Sequence, residues 1–118
     1  DIISVAPPDS TRRFFYTDAP VMEVVPRAGP AENGLVPVEL FVRGAFPDAC
    51  YELHAVEQRR SAQLVDVTLT ARRPQGAFCA TVVRPYRFYL LLDERLSPGP
   101  YVFSVNGKQV PFEVRARG

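Results

Sequence analysis

Residues 101–114 read Tyr101-Val102-Phe103-Ser104-Val105-Asn106-Gly107-Lys108-Gln109-Val110-Pro111-Phe112-Glu113-Val114, and this stretch decides the fold class. Tyr101, Phe103 and Val105 alternate up to Asn106-Gly107, and Val110, Phe112 and Val114 alternate away from it. A period of two marks strands with one face turned to a core. Asn-Gly is the preferred pair for a two-residue type I′ turn, because both positions need φ > 0. The segment is therefore expected to be a β-hairpin.

The same period runs through the preceding chain. Val36, Val38, Leu40 and Val42 share one face of a strand, with Pro37, Glu39, Phe41 and Arg43 on the other, and Gly44 with Phe46-Pro47-Asp48 is expected to end it. A second strand is expected from Tyr51 to Arg59 and a third from Leu64 to Arg72, joined by a loop of Ser61, Ala62 and Gln63. Val65, Val67, Leu69 and Ala71 then oppose Asp66, Thr68 and Thr70. Arg73-Pro74-Gln75-Gly76 and Ser97-Pro98-Gly99-Pro100 read as turns. Ala80 to Leu92 reads as two strand-like pieces broken by Pro85, which cannot donate to a sheet ladder. With a strand at Val21 to Val25, the tally is about seven short strands and no segment of helical period. The expected fold is an all-β, antiparallel, immunoglobulin-like β-sandwich, with a small β-barrel as the alternative. Only the architecture is shared with immunoglobulin domains, since there is no tryptophan to pack on a disulfide.

A chain of 118 residues is the size of one domain. Residues 19–118 are expected to form the sandwich and residues 1–18 an N-terminal arm. Pro7, Pro8, Ser10 and Thr11 suit a linker, while Ile2, Ile3, Val5 and the run Phe14, Phe15, Tyr16 suggest that part of the arm docks. No apolar stretch is long enough to span a bilayer. The chain starts at Asp1 without a leader, as a mature segment would, which leaves room for a lipid anchor upstream of residue 1. A formal net charge of +1, from 14 basic and 13 acidic residues, provides little field to steer the molecule onto nucleic acid or an anionic membrane.

The two cysteines, Cys50 and Cys79, cannot make a four-ligand zinc site. In a small β-rich chain they read as a disulfide, which places the protein in the periplasm, on the cell surface or outside the cell; two buried thiols packed as small hydrophobes are the alternative.

From Gly44 to Val114 the motifs also follow a familiar order. Gly44-Ala45-Phe46-Pro47-Asp48-Ala49-Cys50, Val67-Thr68-Leu69-Thr70, Arg73-Pro74, Cys79, Arg84-Pro85-Tyr86, Leu96-Ser97-Pro98-Gly99-Pro100-Tyr101 and Val105-Asn106-Gly107 resemble a group of small bacterial exported or lipoprotein-like domains. The shared marks are a Gly-x-x-Pro-Asp-x-Cys opening and a Tyr-x-x-x-Val-Asn-Gly closing hairpin. Phe46, Ala49 and Pro100 depart from the group's pattern. The resemblance implies export, a disulfide and an immunoglobulin-like sandwich, and it brings no catalytic residue.

Residue types that carry chemistry are sparse. His54 is the only histidine, and with Glu52 and Glu57 it falls short of a metal site or a general base pair. Ser61, Ser97 and Ser104 lack a nucleophile elbow, and Glu52, Asp66 and Glu113 have no expected cleft between them. No enzymatic activity, cofactor or metal is expected. The candidate interaction surface consists of Arg59, Arg60, Arg72, Arg73, Arg84, Arg87 and Tyr89. Arginine supplies forked donors to carboxylate or phosphate, and outward Arg and Tyr are enriched at protein-binding hot spots. If the hairpin turns at Ala62, Arg72 falls opposite Glu52 and can form a cross-strand ion pair. The alternation around Phe88 puts Tyr86 inward and Arg87 and Tyr89 outward. These features favour a non-enzymatic exported cell-envelope binding or accessory domain with a protein partner. The alternative is a small secreted inhibitor or ligand carrier presenting the disulfide-tethered loop Arg72 to Phe78.

Overall fold

A computed structural model describes residues 13–116. The linker residues Pro7, Pro8, Ser10 and Thr11, and the apolar Ile2, Ile3 and Val5, lie outside the described part. Eight strands follow in chain order: β1 (Phe14–Asp18), β2 (Val21–Ala28), β3 (Val38–Phe46), β4 (Glu52–Ser61), β5 (Leu64–Pro74), β6 (Arg84–Leu91), β7 (Gly99–Val105) and β8 (Lys108–Val114). Among the described residues there is no helix, so none is long and apolar enough to cross a membrane. The strands form two packed sheets, not a closed barrel. One is three-stranded, in the order β2-β3-β6, and the other holds β1, β4, β5, β7 and β8.

The core lies between the sheets. Val38, Leu40 and Val42 of β3, Val65, Val67, Leu69 and Ala71 of β5, and Tyr101, Phe103 and Val105 of β7 are buried, as the alternation required. The count is eight strands, because residues 14–18 pair antiparallel with Pro74 to Thr70 of β5. The sheets are not wholly antiparallel either: β5 and β7 run parallel, with Leu64 to Val67 beside Val102 to Val105. That pairing becomes possible because β6 crosses to the other sheet between them.

β5 organises its sheet. One edge is covered by β4, while the other is shared end to end by β1 at residues 70–74 and β7 at residues 64–67. Asn106 closes the gap between those two neighbours. Its side-chain oxygen accepts from the Leu69 N–H at 2.8 Å, and its amide donates to the Leu69 and Ala19 carbonyls at 2.9 and 2.7 Å. Asn106 (φ 49°) and Gly107 (φ 84°) are both at positive φ, so the hairpin turn forms as expected and its asparagine also acts as a splice in the neighbouring ladder.

Three local expectations are corrected. The β4–β5 turn is Ala62-Gln63 alone, because Ser61 pairs with Leu64, and Ala62 takes the positive φ of 54°. Strand β3 continues through Gly44 to Phe46. Gly44 is needed inside the strand because a Cβ there would fall 1.9 Å from the Pro20 carbonyl oxygen. Of the two pieces expected between Ala80 and Leu92, only the second is a strand, and it contains Pro85 instead of stopping at it. Residue 85 can be proline because β3 is the only neighbour of β6 among the described residues.

Candidate functional site

The arginines expected to form one surface lie in three places. Arg72, Arg73 and Arg84 gather near the Cys50–Cys79 bridge. Arg72 donates to Glu52 at 2.6 Å, the cross-strand pair expected from the turn position, and its guanidinium lies 4.1 Å from the Phe14 ring centre. The Glu52 hydrogen bond raises its pKa above the ordinary arginine value. Arg73 pairs with Asp48 at 3.0 Å, and Arg84 donates to the Tyr51 carbonyl and lies over Phe46. Burial would raise the Asp48 pKa, but the Cys50 N–H and the Arg73 and Arg84 charges outweigh it and hold the carboxyl below its ordinary value.

Arg59 and Arg60 stand at the far end of β4. Arg59 meets Glu57 at 3.8 Å, and Arg60 meets Glu94 at 3.0 Å and covers the Tyr101 ring. Exposed pairs of this kind contribute about 0–1 kcal/mol each. Arg87 and Tyr89 lie on a third surface, the outer face of the three-stranded sheet.

Cys50 and Cys79 are joined, with Cα atoms 5.6 Å apart. Cys50 precedes β4 and Cys79 precedes β6, so the bridge ties together two of the four connections in which the chain changes sheets. It also uses up the only described cluster of potential metal ligands, Asp48 with the two cysteines. His54 is exposed on the β4 bulge, where the register shifts between Leu53 and Ala55, and its ring packs 4.9 Å from Tyr16. Arg72 and Arg73 belong to β5, so the exposed tip of the tethered loop is Gln75 to Phe78, with Gly76 at φ 72° and Phe78 fully exposed.

The outer face of β2-β3-β6 holds what residue types alone did not bring together. Val25, Phe41 and Tyr89 are neighbours across the three strands. The Phe41 and Tyr89 rings are 5.3 Å apart, and Tyr89 is 61% exposed. The next row toward Pro85 is Glu23, Arg43 and Arg87, and the row on the other side is Arg27, Glu39 and Leu91. Arg43 donates to Glu23 at 2.6 Å, whereas no carboxylate among the described residues pairs with Arg87. Shallow hollows lie on either side of the aromatic row, one lined by Arg43, Pro85 and Arg87 and the other by Arg27, Pro37 and Leu91. Tyr86, on the inner face of β6, donates its hydroxyl to the Pro20 carbonyl at 2.6 Å, and burial pushes its pKa up to about 12. Phe41 and Arg43 were legible as outward residues of β3, but their meeting with Tyr89 and Arg87 depends on a long-range register that alternation cannot supply.

Residues 40–114 match the family model described as the ORF11 beta-sandwich domain, which covers more than half of the chain. No curated protein and no solved structure matches it.

Proposed function

The chain belongs to the ORF11 beta-sandwich domain family, and we propose that on this scaffold it serves as a non-enzymatic binding or accessory domain, exported to the cell envelope, that contacts a protein partner through its three-stranded sheet. The observation that carries this reading is the outward row of exposed Val25 and Tyr89 with half-buried Phe41 between them, beside Arg87. Rigid aromatics with an adjacent guanidinium supply contact area at low entropic cost and a forked donor for a partner's carboxylate. The disulfide supports an oxidising compartment, and the resemblance to exported and lipoprotein-like domains points the same way. The test is capture of partners from envelope extract on the immobilised protein, compared with an Arg87→Glu, Phe41→Ser double variant. A protein retained by the native surface and lost by the variant is the expected result; identical sets on both would end this reading.

The rival, an inhibitor or carrier presenting a tethered loop, rests on the fully exposed Phe78. It predicts that Phe78→Ala abolishes inhibition of a target protease while Arg87→Glu leaves it unchanged.

A further inference from the structure

The two sheets end unevenly on the flank where β4 and β6 lie. In β4, Leu53 stands opposite Ala71 and Val56 opposite Leu69, so both point inward with those buried residues. Yet Leu53 is 36% and Val56 42% exposed. The five-stranded sheet therefore reaches past β6, and among the described residues no strand lies beneath its inward apolar residues.

The edge of β6 faces this space with backbone groups that pair with no strand among the described residues. Leu92 donates its N–H to the Val38 carbonyl at 2.9 Å. With the register of β3 and β6, this fixes the even residues of β6 as those bonded to β3. The N–H and C=O groups of Arg87 and Tyr89, and the Leu91 N–H, consequently point away from the sheet. At the end of this edge the Gln58 side chain takes a strand's part: its amide donates to the Leu91 carbonyl at 3.3 Å, and its oxygen accepts from the Asp93 N–H at 2.8 Å. Other edges are guarded, β2 by Pro26 and a bulge and β8 by Pro111 and Lys108. On β6 the guard is Pro85, which lies outside the run Arg87 to Leu91.

We propose that β6 accepts an extended segment of a partner protein as a fourth strand of the three-stranded sheet, with apolar residues turned beneath Leu53 and Val56 and a carboxylate beside Arg87. This rests on the binding-domain reading and specifies its mode, strand addition. A lone segment fits where a second copy does not: two β6 edges brought together about a two-fold axis would also bring together two β4 strands, each projecting past its own β6.

The test starts from a displayed library of random nine-residue peptides panned on the full chain, followed by affinity measurements on enriched peptides. Tyr89→Pro removes only an outward N–H from the ladder, as Pro85 already does at a position of the same parity, whereas Tyr89→Ala removes the ring and keeps the N–H. Enriched peptides should alternate apolar residues and carry an acidic one. Tyr89→Ala should weaken them modestly, Tyr89→Pro at least about tenfold further, and Val56→Lys by about tenfold. Hydrogen exchange on the unsubstituted protein provides a second measurement, with the Arg87, Tyr89 and Leu91 amides slowed by saturating peptide. Equal weakening by Tyr89→Ala and Tyr89→Pro, with edge amides unchanged, would overturn strand addition and leave the outer face as the binding surface. Enrichment of no peptide would overturn strand addition, whereas the broader reading falls only if the native and the Arg87→Glu, Phe41→Ser surfaces capture identical sets of envelope proteins.

Discussion

The two flanks of the sandwich are built differently. On one, the edge strands β2 and β8 lie against each other and the sheets close over the core. On the other, β4 extends past β6, and the sheets are held at the ends by the Cys50–Cys79 bridge and by the Gln58 amide bound to Leu91 and Asp93. Where sheets match in width, side-chain packing joins them. Where they do not, a covalent bond and a polar side chain supply what packing cannot, and the outward backbone groups of β6 from Arg87 to Tyr89 pair with no strand among the described residues.

The sharpest break of this contrast compares one substitution in two settings. Leu69→Ala, in the fully buried centre of β5, should cost about 3–5 kcal/mol, while Leu53→Ala on the open flank should cost about 1 kcal/mol or less. Denaturant unfolding followed by tyrosine fluorescence measures both; equal costs would mean that the flank is packed after all. Next in size is the bridge. Replacing Cys50 and Cys79 by alanine releases a loop spanning 29 positions and should cost about 3–4 kcal/mol in the chain-entropy model. Hydrogen exchange should then rise more in β4 and β6 than in β2 and β8, and a uniform rise would remove the bridge's special tie to the open flank.

The smallest effect concerns Tyr86, which links β6 to the corner between β1 and β2. Its pKa is raised from the usual 10.0 to about 12, so the folded state favours the neutral phenol. The associated stability is fully present below pH 10 and is lost as pH rises toward about 12. Absorbance titration should show a late tyrosine ionisation, and Tyr86→Phe should remove that late step; a late step that survives the substitution would assign it elsewhere.

Much of the fold was legible because it depends on local chemistry. Alternation identified the inward faces of β3, β5 and β7, whereas the Glu52–Arg72 pair expected from a turn centred on Ala62 forms because the bulge between Leu53 and Ala55 offsets the actual two-residue turn Ala62-Gln63. The strand at residues 14–18 was read as part of an arm, since a run of aromatics does not reveal that β5 has an edge to spare there. The seven candidate surface residues were identified as outward types, yet most of the arginines are engaged locally, and Val25, Phe41 and Leu91 enter the site only through strand register.

Composition and period two alone determined that this is a small all-β domain with a buried alternating core and one cysteine pair, because burial of every second side chain is a property of each strand taken separately. Which strands become neighbours, that β5 and β7 run parallel, that Asn106 splices β1 to β7, and that β6 has β3 alone as a neighbour among the described residues were decided only in three dimensions. Those outcomes depend on contacts between segments far apart in the chain, where closure, sheet crossing and the competition for each strand edge choose among pairings that the local pattern leaves equal.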